Sequence, residues 1–397
     1  MQNFFMWIER NIKKVLKRIA GSFPALLLTG PRQVGKTSLL RHLWPKASYL
    51  SFDIPSLAYQ AEENPADLFT DLSEPIILDE IQYVPNLFRH LKSLIDQDRR
   101  PGRFLLTGSQ SFPLMQGVSE SLAGRCGILD LHSLSFQEVK ADFPQVSDRD
   151  FLVRGGYPEL YVGHIQKASD WYNSYLATYL ERDVRNLKNI GELRDFERLL
   201  RALALRSAQI LSYSDLARDV GIVPNTAKQW ISVLQASGQI FLLEPYHRNL
   251  GKRLVKSPKV YFLDTGLACY LAGLYSWEEL QRSPLSGAFW ENHVFAQLIR
   301  HFHNQGERPS LWFWRTHQGE EVDFVIEKGG QLLGIECKLS EHPGKESLRG
   351  FHALEKFYPK STLLKGLIAC RSSHRYKFKE GNFWAVSANQ LAKELSF

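Results

Sequence analysis

Residues 30–37 constrain the fold of this chain most strongly, because they read G-x-x-x-x-G-K-T. They directly follow the apolar run 25–29 and precede a helical pattern that starts at Ser38. A buried strand, a glycine-rich turn and a helix form the setting in which this motif binds phosphate. The backbone N–H groups of the turn and the positive end of the helix then face the phosphate oxygens. The sequence therefore predicts a nucleotide site formed by Gly30, Pro31, Arg32, Gln33, Val34, Gly35, Lys36, Thr37 and Ser38.

Two side chains of this motif and two acids further along the chain have predictable tasks. We expect Lys36 to contact the β- and γ-phosphates and Thr37 to ligate Mg²⁺. Residues 74–80 read as an apolar strand that ends in Asp79 and Glu80. Asp79 can complete the Mg²⁺ shell, and Glu80 can orient and deprotonate the attacking water. The predicted cofactors are therefore ATP and Mg²⁺.

Two further polar positions are candidates for sensing the nucleotide. A strand at 103–107 runs into Ser109, which can reach the γ-phosphate, with Gln110 as the alternative and a simple polar turn as the competing interpretation. Arg125 follows a glycine in the run L-A-G-R. It is a candidate catalytic residue, as an arginine finger acting on a neighbouring subunit or as a phosphate sensor in its own subunit, or else a surface cation.

Strands alternate with helical segments from residue 25 to residue 131, which predicts an α/β fold with a parallel sheet. The combination of G-P-R-Q-V-G-K-T, I-I-L-D-E-I-Q, F-L-L-T-G-S-Q and L-A-G-R resembles a group of bacterial and archaeal AAA+ ATPases. The resemblance continues through residues 154–159 and covers most of the chain. In that group Asp79 and Glu80 correspond to the acidic motif. The resemblance also implies a homo-oligomeric ring, most simply a hexamer.

The middle of the chain is expected to be helical. Residues 135–195 are rich in aromatic side chains at helical spacing and look like the small helical lid of AAA+ proteins. Residues 212–220 read as a short helix that ends at Gly221, and a second helix opens at Pro224. Helix, glycine turn and helix, followed by two strands, predict a winged helix.

A winged helix is one of the folds that bind DNA, although it also mediates protein contacts, so both interpretations stay open. The second helix projects polar side chains, and the loop between the two strands is basic. The predicted DNA contacts are Lys228, Gln229, Arg248, Lys252 and Arg253. The net charge of +7 suits a polyanionic partner without establishing one.

The last part of the chain carries a third pattern. A helix at 287–299 contains Glu291, and two predicted strands contain Asp323 and the sequence Glu336-Cys337-Lys338. Strand alternation places Glu336 and Lys338 on one face. Three carboxylates that meet here could bind one or two Mg²⁺ or Mn²⁺ ions, with Lys338 supporting phosphodiester cleavage. The pattern looks like the PD-(D/E)xK nuclease superfamily, although an exposed strand pair would read the same way.

The predicted organisation is an N-terminal helix (1–23), an AAA+ ATPase core (24–134), a helical lid (135–195), a winged helix (196–283) and a nuclease-like domain (284–397). No apolar run approaches the length of a membrane span, and the first residues show no signal pattern, so we expect a cytoplasmic protein. The favoured function is ATP-dependent action on DNA, on branched or repair intermediates. The alternatives are an ATP-gated switch with an inactive nuclease fold, or a remodelling ATPase that binds only protein.

Overall fold

The structure is a computed structural model, and it describes residues 7–109, 112–179, 193–246, 257–358 and 363–395. The N-terminal helix α1 spans Lys13–Ala20, so it begins later than the apolar spacing from Ile8 predicts. No helix in the described ranges combines the length and the apolar character that a membrane crossing requires.

The first domain is built on a parallel sheet. Its strands in chain order are β1 (Ala25–Gly30), β2 (Ser48–Ser51), β3 (Ile76–Asp79), β4 (Phe104–Ser109) and β5 (Cys126–Asp130). Their order across the sheet is β2-β3-β4-β1-β5, so β4 separates the two strands that end in the glycine-rich turn and in Asp79. The helices are α2 (Lys36–Leu43), α3 (Pro55–Glu63), α4 (Leu87–Gln97) and α5 (Phe112–Ser121). This sheet confirms the predicted α/β core.

Both faces of this sheet are buried, as a parallel sheet requires. Leu26 and Leu28 of β1 belong to one apolar cluster, whereas Ala25 and Leu27 belong to another on the opposite face. Because all the strands run in one direction, the carboxyl ends of β1, β3 and β4 meet at one edge. That edge is where an open parallel sheet binds its ligand.

Short helices follow the sheet: α6 (Phe136–Asp142), α7 (Asp148–Arg154), α8 (Glu159–Val162) and α9 (Ala168–Tyr179). Ser135 and Glu138 form a capping box at the start of α6, and Ser147 and Asp150 form one at the start of α7. Two helix starts are therefore encoded locally, by a serine followed three residues later by an acid.

The middle region combines helices with a small antiparallel sheet. Its elements are α10 (Leu193–Ala204), β6 (Gln209–Ile210), α11 (Tyr213–Val220), α12 (Pro224–Ala236), β7 (Ile240–Leu243), β8 (Lys259–Phe262), α13 (Thr265–Leu271) and α14 (Trp277–Arg282). The sheet order is β6-β8-β7. Gly221 ends α11 with a φ of 85°, a backbone conformation that suits glycine. The buried face of α12 contains Ala227, Trp230, Ile231 and Leu234, as the spacing predicts.

The C-terminal domain packs the long helix α15 (Ser286–Asn304) against a mixed sheet. Its strands are β9 (Leu311–Arg315), β10 (Glu321–Lys328), β11 (Gln331–Cys337), β12 (Leu363–Cys370), β13 (Tyr376–Lys377) and β14 (Phe383–Ser387), with α16 (Arg349–Phe357) between β11 and β12. The order is β13-β14-β12-β11-β10-β9. The first three strands are antiparallel neighbours, and β11, β12 and β14 are parallel.

A buried polar cluster around Asp264 joins the first domain, the middle region and the C-terminal domain. Asp264 accepts hydrogen bonds from the Ser133 hydroxyl (2.8 Å), the Gly156 N–H (2.8 Å) and the Tyr172 hydroxyl (2.8 Å). Arg300 of α15 donates to the carbonyl oxygen and hydroxyl of Ser133 and lies 3.8 Å from the Asp264 carboxylate. One cluster therefore ties the segment after β5, the 154–159 motif, the middle region and α15 together.

Candidate functional site

The glycine-rich turn after β1 has the backbone shape that a phosphate cradle needs. Three of its residues have positive φ angles: Gly30 at 142°, Gln33 at 64° and Gly35 at 90°. A Cβ atom on Gly30 would lie 2.1 Å from the carbonyl oxygen of Leu131, so the close approach of two chain segments requires glycine there. Lys36 then starts α2, which places the helix N-terminus directly behind the turn.

Lys36 is buried, and its ammonium lies over this turn. Its Nζ donates to the carbonyl oxygens of Gly30 (3.0 Å) and Pro31 (2.9 Å). The charge is therefore already positioned at the mouth of the cradle, where the oxygens of a polyphosphate can replace the two carbonyls as acceptors.

Asp79 at the end of β3 lies beside the glycine-rich turn. The Thr37 hydroxyl donates to Asp79 Oδ1 at 2.7 Å, and the Thr107 hydroxyl donates to the same oxygen. The Tyr49 hydroxyl donates to Oδ2 at 2.8 Å. The structure thus brings Thr37 and Asp79 together as predicted, and a hydroxyl beside a carboxylate is the hard-oxygen donor set that Mg²⁺ prefers.

Glu80 has a strained backbone, with φ of 55° and ψ of 46°, which turns the chain sharply after β3. Its carboxylate accepts a hydrogen bond from Gln82 Nε2 at 2.5 Å, and the same Nε2 donates to the Ser109 hydroxyl at 3.2 Å. The Gln82 Oε1 atom is buried, and no described group donates to it. Gln82 therefore connects the two side chains that the sequence assigns to water activation and γ-phosphate sensing. Gln110, the alternative to Ser109, lies outside the described residues.

Arg10 supports the turn from the N-terminal segment, and no sequence motif marks it. Its guanidinium donates to the carbonyl oxygens of Val34 (2.8 Å) and His132 (2.6 Å). It also pairs with Glu138 at 3.3 Å, and both side chains are almost fully buried. Arg10 thus fixes the phosphate turn relative to the segment that leaves β5.

Arg125 does not lie at the nucleotide site of its own subunit, which corrects one of the three predicted roles. It precedes β5 at the opposite edge of the sheet, where its carbonyl oxygen accepts from the Ala25 N–H. The length of β1 separates it from the glycine-rich turn, about 16 Å at the usual rise per strand residue. Its guanidinium pairs with Asp96 through two hydrogen bonds of 2.7 and 2.9 Å.

The predicted DNA-binding residues fall partly within the described structure. Lys228 and Gln229 lie side by side on the exposed face of α12. Residues 247–256 of the loop between β7 and β8 are outside the described residues, and Arg248, Lys252 and Arg253 lie among them.

The four C-terminal candidates come from α15, β10 and the end of β11. The Lys338 ammonium donates to Glu336 Oε1 at 2.7 Å, and Asp323 Oδ2 accepts from the Cys337 N–H at 2.7 Å. Burial raises the pKa of Glu336 to about 8 and that of Glu291 to about 7, and the charge of Asp323 adds to both shifts. The structure therefore brings the three predicted acids into one electrostatic environment, which we call the acidic centre: Glu291, Asp323 and Glu336.

Two residues of β8 enter this centre, and the sequence pattern did not indicate them. Lys259 Nζ donates to Glu291 Oε1 at 2.8 Å and also pairs with Glu321. The Tyr261 hydroxyl donates to the same Glu291 oxygen at 2.5 Å. Burial disfavours the charged form of Lys259, but Glu291, Asp323 and Glu321 outweigh it and hold the Lys259 pKa above its ordinary value.

This arrangement differs from the predicted metal centre. Within the described ranges, no group of three His, Cys, Asp or Glu side chains is arranged to hold a metal ion. Glu291 accepts from Lys259 and Tyr261, and Asp323 accepts from a backbone N–H, so these oxygens already have donors. The metal role of Glu291, Asp323 and Glu336 therefore stays a prediction, and in this structure a lysine ammonium supplies the positive charge beside Glu291.

Comparison with known proteins agrees with the nucleotide site. A profile of the AAA domain matches residues 22–140. An uncharacterized protein of Mycobacterium tuberculosis is 35% identical over 350 residues, which cover 85% of this chain and 76% of that protein. A protein of Mycobacterium bovis matches with the same values. This chain belongs to the family of these two proteins, and its AAA domain makes it a P-loop ATPase.

The remainder of the ATPase matches families without an assigned role. One domain of unknown function, DUF8612, matches residues 147–278, and another, DUF4143, matches residues 286–391. Among solved structures, a Walker-type ATPase of Pyrococcus abyssi is 18% identical, with 67% of this chain and 96% of that chain covered and a TM-score of 0.45. AMPPCP-bound DnaA from Aquifex aeolicus is 14% identical, covering 56% and 85%, with a TM-score of 0.30.

In this ATPase, Lys36→Ala should weaken ATP binding at least about tenfold, because the variant removes a charged hydrogen-bond donor from the phosphate cradle. Titration with a fluorescent ATP analogue measures the affinity. Lys46→Ala is the matched control, since Lys46 is exposed in the same domain and its loss should leave the affinity unchanged. Equal affinities for all three proteins would remove Lys36 from the site.

Gln82→Ala should lower ATP turnover about tenfold with little change in affinity, because Gln82 orients Glu80 and Ser109 without reaching the cradle. The measurement is steady-state phosphate release together with the binding titration. A change in affinity alone would show that Gln82 contributes to binding and not to the geometry of hydrolysis.

Proposed function

We propose that this ATPase couples ATP hydrolysis to action on DNA, with branched or repair intermediates as the favoured substrates. The observation that supports the hydrolytic part is the contact between the Thr37 hydroxyl and Asp79 at the mouth of the phosphate cradle. Thr37 lies in the first turn of α2 and Asp79 ends β3, and a magnesium nucleotide needs both.

The roles within the site follow from the geometry. The backbone of residues 30–35 and the Lys36 ammonium bind the phosphates, and Thr37 and Asp79 would hold Mg²⁺, which neutralises phosphate charge when bound. Glu80 orients the attacking water and accepts its proton, while Gln82 and Ser109 fix the direction of the Glu80 carboxylate. Thr107 and Tyr49 hold Asp79 in place through its two oxygens.

We propose that the middle region is a winged helix and the DNA-contacting part of the protein. The short strand β6, the helix α11, a glycine turn, the helix α12 and the strands β7 and β8 follow each other in that order, and the three strands form one antiparallel sheet. Lys228 and Gln229 are exposed on α12, as the side chains of a groove-binding helix must be. The basic residues Arg248, Lys252 and Arg253 belong to the same proposed surface.

For the C-terminal domain we propose a PD-(D/E)xK-type fold, in which Lys338 pairs with Glu336 beside the two other acids. A second candidate role is favoured by the position of Lys259: the domain serves as a binding module of an ATP-gated switch and cuts nothing. We also propose a homo-oligomer, in which the trans role of Arg125 stays a prediction.

The test is a DNA-binding titration with labelled duplex, single-stranded, fork and four-way DNA, with and without ATP and Mn²⁺. The double variant Lys228→Ala/Gln229→Ala should bind about tenfold more weakly and with a smaller salt dependence. Lys92→Ala removes an equal charge from the exposed face of α4 and is the control. If wild type binds none of these DNAs, the DNA part of the proposal is wrong. Cleavage products, detected by gel electrophoresis of the same samples, would identify a nuclease.

A further inference from the structure

The acidic centre contains a positive charge that belongs to another part of the protein. Lys259 is the first residue of β8, in the middle region, yet its ammonium lies between Glu291 of α15 and Glu321 of β10. Only 3% of its side chain is exposed. A lysine this deeply buried must be compensated by nearby negative charge, and two carboxylates supply it.

Tyr261 makes the same connection from the same strand. Residues 259 and 261 point to one face of β8, and both donate to Glu291 Oε1, at 2.8 and 2.5 Å. One of the two carboxylate oxygens of Glu291 is therefore engaged twice. Glu336 differs, because its Oε2 atom is buried and no described group donates to it. The centre thus has a strand of the middle region on one side and an unused carboxylate oxygen on the other.

A divalent cation and the Lys259 ammonium would compete for the same carboxylates. Metal ligands must be deprotonated carboxylates free to coordinate, and a nearby fixed cation repels a second one. Removing a buried lysine from its acids leaves uncompensated buried charge and is costly, so the lysine stays in place and the metal ion is excluded.

We propose that Lys259 is the resident cation of the acidic centre, and that it excludes a divalent metal ion from the centre while β8 packs against α15 and β10. The centre is therefore shared between two domains, because β8 supplies its positive charge. This inference rests on the proposed function of the C-terminal domain as a PD-(D/E)xK-type fold.

The end of β8 is also joined to α15 and to the ATPase core. Phe262, the last residue of β8, exchanges backbone hydrogen bonds of 2.8 Å with the Asn292 side chain of α15. Asp264 follows two residues later and accepts a hydrogen bond from the Ser133 hydroxyl, in the segment that follows β5. Both contacts lie at the C-terminal end of β8, so the strand that carries Lys259 is fixed to α15 and to the segment that follows the core sheet.

The experiment is a Mn²⁺ titration of the full chain without nucleotide, in which electron paramagnetic resonance measures free Mn²⁺. Wild type should bind no more Mn²⁺ than Asp323→Asn. Lys259→Met should gain one Mn²⁺ site, with an affinity at least tenfold higher than that of wild type. The double variant Lys259→Met/Asp323→Asn should lose this site. Lys259→Gln is measured in parallel, and circular dichroism identifies the variants that fold. Lys259→Arg keeps the charge and is the matched control, expected to gain no site.

Two results overturn the inference. One is a Mn²⁺ site in wild type that Asp323→Asn abolishes, because the lysine would then not exclude the metal. The other is the absence of a new site in folded Lys259→Met and Lys259→Gln. ATP turnover and DNA affinity, measured on the same preparations, test the proposed function separately. If wild type does not bind DNA, the comparison of Mn²⁺ affinities among the variants still tests the role of Lys259.

Discussion

Glu80→Gln should reduce ATP turnover by at least about 100-fold, because general-base catalysis typically contributes a factor of 10² to 10⁴. The variant keeps the shape of the side chain, and its carbonyl oxygen can still accept the hydrogen bond from Gln82 Nε2. It removes only the proton acceptor. Affinity for ATP should therefore stay within about threefold of wild type, since the cradle and the Thr37–Asp79 contact are unchanged.

Single-turnover hydrolysis with pre-bound radioactive ATP separates this effect from slow product release. Lys36→Ala should show the opposite pattern, in which the affinity for ATP falls. If Glu80→Gln turns over ATP at the wild-type rate, another group is the base, and Glu80 would have only a structural task at the sharp turn after β3.

Asp264→Ala should lower the free energy of unfolding by about 3 kcal/mol, in the range for breaking a buried, charged hydrogen-bond network. The loss leaves the Ser133 hydroxyl and the Gly156 N–H without this acceptor, leaves the Tyr172 hydroxyl only the Arg154 carbonyl oxygen, and removes the cap of α13 at the Leu267 N–H. Arg300, buried 3.8 Å away, loses its nearest carboxylate.

Thermal unfolding followed by circular dichroism measures this change, which we expect to lower Tm by about 4 °C. Asp219→Ala is the control, because Asp219 forms a half-exposed pair with Arg206 and its removal should cost below about 1 kcal/mol. Equal Tm values for Asp264→Ala and wild type would mean that the cluster does not tie the parts of the chain together.

Features encoded by consecutive residues could be predicted from the sequence. The phosphate cradle, Lys36 and Thr37 lie in one short motif, and the apolar strand before Asp79 and Glu80 marks its own end. Parallel strands bring their carboxyl ends to one edge, so the meeting of Thr37 and Asp79 follows from strand direction alone. The same reasoning about strand direction excludes Arg125 from its own nucleotide site, because that residue precedes its strand.

Contacts set by the packing of distant segments could not be predicted in this way. Arg10 reaches the cradle from residues that precede the first helix, and Lys259 reaches the acidic centre from a different domain. Nothing in the local pattern of either residue distinguishes it from a surface cation. Gln82 had a weak signal, since it follows the two acids within the same motif, but its contact with Ser109 depends on the neighbouring strand.

The placement of β8 has a practical consequence for dissecting the protein by truncation. A fragment beginning at residue 284 would retain Glu291, Asp323, Glu336 and Lys338 but would lack Lys259 and Tyr261. Phe295, which stacks on Tyr261 with ring centroids 4.2 Å apart, would also become exposed. In such a fragment Glu291 would lack its ammonium partner and could bind metal ions from the solvent. Metal binding by the fragment would therefore not describe the intact protein.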